Sequence, residues 1–417
     1  MKLQSISKND YQEYLSTLKD NDFLQSTHAA SKFMEDGWQI EYVKGTDQDE
    51  TKAVAMICIR PLLRFFNYAY VPRGFFIDYH NKKDLRDFSS VLKAHLKSKK
   101  VIYLEIDPDI LYKERDKNGQ IVPDGINNQD IVDNLIEAGY RQMPLTKGYD
   151  LSKQCRWMSI LDLRNKSIDD IFNGFSTMQK RNIRTAQKCC VKTRVLSQDE
   201  LNILDKMETE SSERQQFESM PLSYFESMYR HYGTQHIKTV YGYLDLEEYE
   251  AKIKEDLIHT ENEIQKLQLQ IQKDPSAKKK IKNLENAQTK LSSLTKKKEE
   301  IATLKKTHDK EVPLSCCMFV QYKNQMIYLF GGNDYAYRAY RGSYAVQWEM
   351  IQEAVRAGCD YYNMYGISGY FEKGEEGYGV FDFKRGFNCT VVEFIGRYHL
   401  VFHPFFYWIH KKLHKNI

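Results

Sequence analysis

GSYAVQWEMIQEAVRAGCDYYNMYGISGYF, residues 342–371, contains one complete helix-to-strand unit. Ala345–Ala357 predicts a helix, and Gly358 stops it, because a residue without Cβ enters the left-handed turn after a helix freely. Tyr361–Tyr365 predicts a strand whose rings, each with a polar tip, suit half-buried positions. Met364–Ser368 then leads into a turn at Gly369 and Phe371, where glycine lets backbone approach a ligand closely. Neither GxxxxGK[ST] nor a GxGxxG after a strand is present, so spacing alone assigns that turn no ligand.

The same alternation extends in both directions. Arg156 opens a strand-like run (RWMSILDL), followed by helical stretches at Ile168–Lys188 and Gln198–Ser211 and by strands at Leu314–Gln321 and Gln325–Phe330. Val391–Ile395 adds a strand downstream. In the first 150 residues, Ala53–Ile59 and Val101–Ile106 are buried-strand runs. Leu85, Phe88, Val91, Leu92 and Leu96 recur at helical spacing within Asp84–Lys97, and Asn128–Ala138 repeats that spacing up to Gly139. Mixed order of this kind predicts an α/β (α+β) protein with two similarly ordered halves, although no residue-level repeat links them.

An interruption separates the second half into two pieces. Ile253, Leu257, Thr260, Ile264, Leu267 and Ile271 keep a strict 4-3-4-3-4 spacing, which holds one stripe toward a partner helix. Asp274–Pro275–Ser276 breaks the helix, since proline cannot continue it. A second stripe follows at Ile281, Leu284, Ala287, Leu291, Leu294, Lys298 and Ile301. Each arm spans roughly 37 Å at 1.5 Å per residue. Arms of equal length around a short turn predict an antiparallel coiled-coil hairpin over about Leu246–Glu311. It is either structural or an arm for a large partner, and the Lys278–Lys279–Lys280 cluster beside its tip favours a partner.

Composition bounds the rest. A chain of 417 residues is long enough for two domains and an extra element, and 41% hydrophobic residues describe a folded protein. The net charge of +4 announces no polyanion partner, so local charge carries the information. Eight cysteines lack metal spacing, and the adjacent pairs Cys189–Cys190 and Cys316–Cys317 would bridge only under strain. They read as reduced thiols, and no metal site is expected. The N-terminus lacks the apolar core of a signal peptide, and no run reaches the ~18 apolar residues of a membrane span, so a soluble cytosolic protein is expected.

Within this frame a few residues stand out. Gln179–Arg194 carries Lys180, Arg181, Arg184 and Lys188 with no acidic residue; on a helix, positions 181, 184 and 188 share a face suited to phosphates or simply to solvent. Lys384 lies among aromatics in VFDFKRGF, where a lysine either snorkels to water or projects charge into a dry cleft and stabilises an oxyanion. Asp107 ends the Val101–Ile106 run, at a cleft edge or at an Asp-Pro turn. The Gly37–Trp38 pair is open to a core or a site reading. No Ser-His-Asp or Cys-His arrangement follows from spacing. Tyr398–Lys415 mixes aromatics with Lys and His, which suits either lipid headgroups or a packed terminal segment.

Six blocks converge on one family. Gly342–Phe371, Phe383–Gly386 (FKRG), Glu393–Gly396 (EFIG), Val71–Asp78 (VPRGFFID), Asp107–Tyr112 (DPDILY) and Arg156–Met158 (RWM) resemble the Fem family of tRNA-dependent peptidoglycan interpeptide-bridge aminoacyltransferases, the staphylococcal FemA/FemB type above all. The resemblance implies two acetyltransferase-like (GNAT) domains, residues 1–150 and residues 151–245 with 312–417. The arm, 246–311, is inserted in the second, and the C-terminal strand is free to complete the first. It implies transfer of glycine, or of alanine or serine, from aminoacyl-tRNA to the stem-peptide lysine or growing bridge of a lipid-linked precursor (lipid II type). Peripheral contact with the inner face of the plasma membrane follows from a lipid acceptor. A second copy or a related Fem-type chain stays open as a partner. No cofactor is expected, and the CoA pyrophosphate loop (Q/R-x-x-G-x-G/A) is not visible.

By motif position, Lys384 matches the family lysine at the reacting centre and Asp107 an aspartate near the acceptor amine. Trp38 and Tyr224 match residues of the precursor groove, and Phe330 is a further substrate-binding candidate. Three positions depart from the pattern. The family lysine upstream of Gly-Trp falls at Phe33, with Lys32 one residue earlier. An arginine of some members is Met220 here, leaving Arg214 as a substitute, and an acidic position after E-x-I-G is Arg397. The rival readings are a GNAT-type N-acetyltransferase and a non-catalytic RNA- or membrane-binding scaffold.

Overall fold

The computed structural model describes residues 1–150, 153–215 and 218–413. Its first part runs β1 (Lys2–Ser5), α1 (Lys8–Thr17), α2 (Thr27–Glu35), β2 (Gln39–Asp47), β3 (Glu50–Leu63), β4 (Phe66–Val71) and β5 (Phe76–Ile77). Then come α3 (Lys82–Ser98), β6 (Val101–Ile106), β7 (Leu111–Glu114), α4 (Gln129–Glu137) and β8 (Tyr140–Gln142). The Asn81 side chain caps α3 by accepting from the Asp84 N–H, and Leu85, Phe88, Leu92 and Leu96 turn inward, as their spacing predicts.

The second part opens with β9 (Trp157–Asp162), α5 (Ile168–Gly174), α6 (Thr177–Lys188), β10 (Val191–Val195), α7 (Asn202–Gln215), α8 (Leu222–Tyr232) and β11 (Ile237–Asp245). The expected single helix over Ile168–Lys188 is therefore two. Phe175 leaves helical geometry, and the Ser176 hydroxyl accepts from the Gln179 N–H to start a new helix. Helix α9 (Leu246–Lys273) and α10 (Lys278–Leu304) form the arm. The chain closes with β12 (Glu311–Tyr322), β13 (Gln325–Asn333), α11 (Gly342–Arg356), β14 (Tyr361–Gly366), α12 (Tyr378–Gly386), β15 (Thr390–Phe394), β16 (Tyr398–Val401) and α13 (Pro404–Leu413).

The expected mixed α/β architecture is present as two sheets. One has the order β1-β2-β3-β4-β6-β16-β8 with β5 beside β3; the other is β10-β11-β12-β13-β14-β9-β15-β7. Strand β7 comes from the first part yet pairs with β15, and β16 comes from the end of the chain yet pairs with β6 and β8. The sheets thus exchange a strand in each direction. Each also has one parallel pair, β4 with β6 and β13 with β14.

The arm helices fold back on each other across Asp274–Ala277, and the Asp274 carboxylate holds the Ser276 N–H and hydroxyl. At its base Tyr249, Ile253, Leu294 and Ile301 share a core with Leu244 and Val312. The first stripe is buried or half-buried throughout, but Ile281 and Lys298 of the second face solvent. Ile281 lies where the spacing slips to 3-3 at the start of that stripe, and Lys298 is the charged residue in it. Among the described residues, no helix is long and apolar enough to cross a membrane.

Candidate active site

Strands β13 and β14 pair in parallel over only three positions, Gln325–Ile327 with Tyr361–Asn363. Beyond them β13 stays with β12, while β14 follows β9 through a register shift before Gly366. The two strands part, and a cavity of about 290 Å³ opens between Leu329 and Phe330 on one side and Tyr365 and Ile367 on the other. Carboxyl ends of parallel strands are where open α/β sheets bind ligands, because the diverging backbone leaves a crevice there.

Helices α2 and α8 roof the crevice with Lys32, Phe33 and Asp36, and with Tyr224 and Met228. Lys32 bonds Asp36 at 2.9 Å, and its ammonium lies 4.5 Å over the Tyr224 ring. Tyr224 meets Phe330 edge-on at 5.5 Å, and burial pushes its phenol up to about 12, which keeps it a neutral hydroxyl. Lys32, Tyr224 and Phe330 therefore come together in one cavity. Trp38 stands one ring behind, 6.0 Å from Phe33 and 5.1 Å from Tyr68.

Asp107 sits where the other parallel pair ends. Its carboxylate accepts from the Arg73 N–H at 2.7 Å and from the Tyr70 hydroxyl at 3.0 Å. Burial raises it to about 7, against the pull of the Arg73 guanidinium. With Arg73, Arg156 and Arg397 it lines a small hollow that shares Thr146, Gln154, Cys155 and Arg156 with the large cavity. Arg397 is held by Glu105 at 3.4 Å, and Glu105 also takes His399 at 2.6 Å.

Lys384 does not snorkel. It lies on α12, 5% exposed, and its Nζ donates to the Gly366 carbonyl at 2.6 Å. Burial brings the ammonium down to about 8. Gly366 falls between Tyr365 and Ile367 of the cavity wall, so Lys384 stands directly behind that wall. A Cβ on Gly366 would come 2.5 Å from Cys155 Sγ, which leaves room for glycine alone. An ammonium has three donors and Gly366 takes one.

The remaining candidates lie elsewhere. Arg214 is exposed on α7, 5.0 Å over the Tyr335 ring, and does not line the cavity. On α6, Lys180 bonds the Asn173 carbonyl and Arg184 packs on Phe172, while Arg181 and Lys188 face solvent. Among the described residues, none of these four forms an ion pair with an acid. Spacing did not single out Arg73, Cys155 or Glu393. The buried Glu393 carboxylate bonds both Arg115 and Arg156.

A crevice between diverging strands, a buried lysine behind its wall and a carboxylate beside it suit acyl transfer to an amine. The chain also matches the FemAB family over residues 6–415. It belongs to the FemAB family. It is 29% identical over 397 residues to aminoacyltransferase FemA of Staphylococcus aureus (strain bovine RF122 / ET3-1), covering 95% of this chain and 94% of that one. Against aminoacyltransferase FemA of Staphylococcus epidermidis it is 29% identical over 405 residues, covering 95% of each. This FemAB member is an aminoacyltransferase. The crystal structure of FemX is similar in fold, with a TM-score of 0.78 at 23% identity over 98% of this chain and 99% of the other.

Proposed function

We propose that this FemAB-family enzyme builds the peptidoglycan cross-bridge. It moves an amino acid from aminoacyl-tRNA to the stem-peptide lysine, or to the residue already attached, of a lipid-linked precursor. Glycyl-tRNA is the donor favoured over alanyl- or seryl-tRNA, because the sequence likeness is to staphylococcal FemA. In this reading residues 1–150 and 151–245 with 312–417 form the two domains, with β16 completing the first sheet and β7 the second, and 246–311 form the arm. The enzyme works in the cytoplasm at the inner face of the membrane. The observation that carries the proposal is the crevice where β13 and β14 part, with Lys384 behind it and Asp107 in the adjoining hollow.

The reaction is aminolysis of an ester. An alkyl amine with a pKa near ~10.4 is mostly ammonium at neutral pH and must lose a proton before it attacks. Asp107 is placed to accept that proton. The amine nitrogen bonds to the ester carbonyl carbon, the oxyanion forms opposite Lys384, and the ester C–O bond then breaks. The ribose oxygen of the tRNA takes up a second proton, lost by the attacking nitrogen, and leaves as a hydroxyl, and a neutral amide remains. Lys32, Tyr224 and Phe330, backed by Trp38, hold the acceptor, with Arg397 fixed in the adjoining hollow. Arg214 lies off the cavity wall and is given no part in acceptor binding.

The test is transfer of radiolabelled amino acids from a mixed pool of charged tRNAs to lipid-linked precursors of defined bridge length. Labelled precursor is expected. No transfer, together with tight acetyl-CoA binding, would move the protein to the acetyltransferase reading.

Two further outcomes follow from the proposal. Asp107 acts as a carboxylate, so kcat/KM rises with pH through about 7. Lys384 acts as an ammonium, so it falls again above about 8. A bell with its maximum between the two is expected, and in Asp107→Asn the acid limb disappears. The α6 stripe, Lys180, Arg181, Arg184 and Lys188, is assigned to the tRNA backbone. Arg181→Glu with Arg184→Glu is expected to weaken aminoacyl-tRNA binding at least about tenfold and to flatten its salt dependence. Unaltered tRNA affinity in a fluorescence titration would return the stripe to solvent.

A further inference from the structure

Helix α13 buries only part of its aromatic content. Tyr407 packs with Ile102 and Tyr103, and the Phe406 ring lies tilted against Phe66 at 4.2 Å, which joins the helix to the turn between β3 and β4. On the outer side Phe405 is 66% exposed, Trp408 53% and Leu413 66%, and Phe65 on the joined turn is 67% exposed. Single exposed apolar residues are ordinary on a protein surface. Four large ones gathered on two elements that pack together form a patch, and a patch of that kind marks an interaction site.

Charge identifies what the patch meets. Residues 60–71 and 396–413 contain no Asp or Glu. Lys412 lies 4.1 Å over the Trp408 ring, Lys411 5.5 Å over Tyr407 and Arg64 5.1 Å over Phe65. Among the described residues, none of these three cations has an acidic partner. Rings that protrude beside cations on flexible stems suit the boundary of an anionic bilayer. There the ring enters at headgroup depth and the cation meets phosphate.

We propose that α13 and the β3–β4 turn are the docking face of this enzyme for an anionic phospholipid bilayer. The proposal rests on the lipid-linked acceptor described above for its purpose, and the structure joins the two places. A run of ring contacts passes from Tyr407 to Tyr103 at 5.2 Å, to Tyr68 at 5.6 Å, to Trp38 at 5.1 Å and to Phe33 at 6.0 Å, in the cavity wall. Strand β4 alone covers about 17–20 Å between the turn and the end that holds Asp107. Tyr407 and Tyr103 are buried and fix the helix to the sheet, and the half-buried Tyr68 and Trp38 are the part of this run along which a polar headgroup reaches the cavity while its tail stays in the bilayer.

The full-length chain is tested by co-sedimentation with vesicles of phosphatidylglycerol and phosphatidylcholine that contain no acceptor lipid, against vesicles of phosphatidylcholine alone. Wild type is expected to bind the anionic vesicles at least about tenfold more tightly. Phe405→Ser with Trp408→Ser, and separately Lys411→Gln with Lys412→Gln, each lose at least about tenfold. Both variants keep wild-type transfer to a soluble stem peptide and lose rate on acceptor held in vesicles. Wild type that ignores anionic vesicles, or variants that bind as it does, overturn the proposal. So does a patch whose loss changes only self-association in sedimentation velocity. Vesicle binding without transfer to any acceptor would strike the functional reading and leave the docking face standing.

Discussion

Lys384→Met is expected to lower the single-turnover rate of transfer by at least about a hundredfold to a thousandfold, with little change in melting temperature. The rate effect follows from position. Lys384 is the cation behind the wall between Tyr365 and Ile367, and loss of a preorganised donor to an oxyanion costs about 3–4 kcal/mol. The small effect on the fold follows from compensation. Burial of an ammonium is itself unfavourable, as its lowered pKa of about 8 records, and methionine removes that cost while filling similar space. What is lost in return is one hydrogen bond to the Gly366 carbonyl, about 1–3 kcal/mol if that oxygen stays dry. Lys384→Arg should not restore the rate, because a planar guanidinium does not fit a site shaped around a point charge. Rapid-quench transfer beside a thermal melt checks both halves. Wild-type turnover in Lys384→Met would remove Lys384 from the chemistry.

What the sequence revealed of this fold divides along a physical line. Short-range patterns were legible. Val101–Ile106 is a buried strand because it is a continuous apolar run, α3 shows its face through Leu85, Phe88, Leu92 and Leu96, and the arm shows its first stripe through Ile253 and Thr260. Features made by distant residues were not. Strand β7 belongs to the second sheet and β16 to the first, through pairings between segments some 280 to 300 residues apart that leave no local period; only the family resemblance left the C-terminal strand free to complete the first domain, and nothing pointed to β7. Helix α8 is different: Phe225, Met228, Tyr229 and Tyr232 recur at helical spacing after Pro221, so the helix is a local pattern, and only its placement of Tyr224 in the cavity roof is long-range. The candidate site divides in the same way. Lys384, Asp107 and Trp38 were found through motif position, while Lys384's burial depends on α12 packing behind β14. The cavity itself exists because β13 and β14 part after three paired positions, a fact about two backbones.

Glu393→Ala tests that long-range part of the design, and it is expected to destabilise the enzyme by about 3–5 kcal/mol. Glu393 is 3% exposed and lies at the point on β15 that faces Trp157 on β9 and Lys113 on β7. Its carboxylate takes Arg115 from the exchanged strand's end at 2.5 Å and also takes Arg156. The two guanidinium groups lie 4.9 and 4.7 Å from the Trp157 ring. Removal of the carboxylate leaves two half-buried charges, Arg156 the deeper, against one ring with no counter-charge, and this, more than a lost attraction, sets the size of the effect. Arg156 also lines the cavity and the Asp107 hollow, so its release should raise KM for the acceptor in whatever fraction stays folded. A Glu393→Gln variant keeps the shape and an acceptor oxygen but not the charge, and should fall between wild type and alanine. In the double variant Glu393→Met with Arg156→Met, one stranded charge goes with its partner, and part of the lost stability should return. Chemical denaturation of wild type, Glu393→Met, Arg156→Met and the double variant closes the cycle, with Glu393→Ala and Glu393→Gln measured beside it. Equal stability of Glu393→Ala and wild type would show that the exchanged strand is held by its backbone ladder alone.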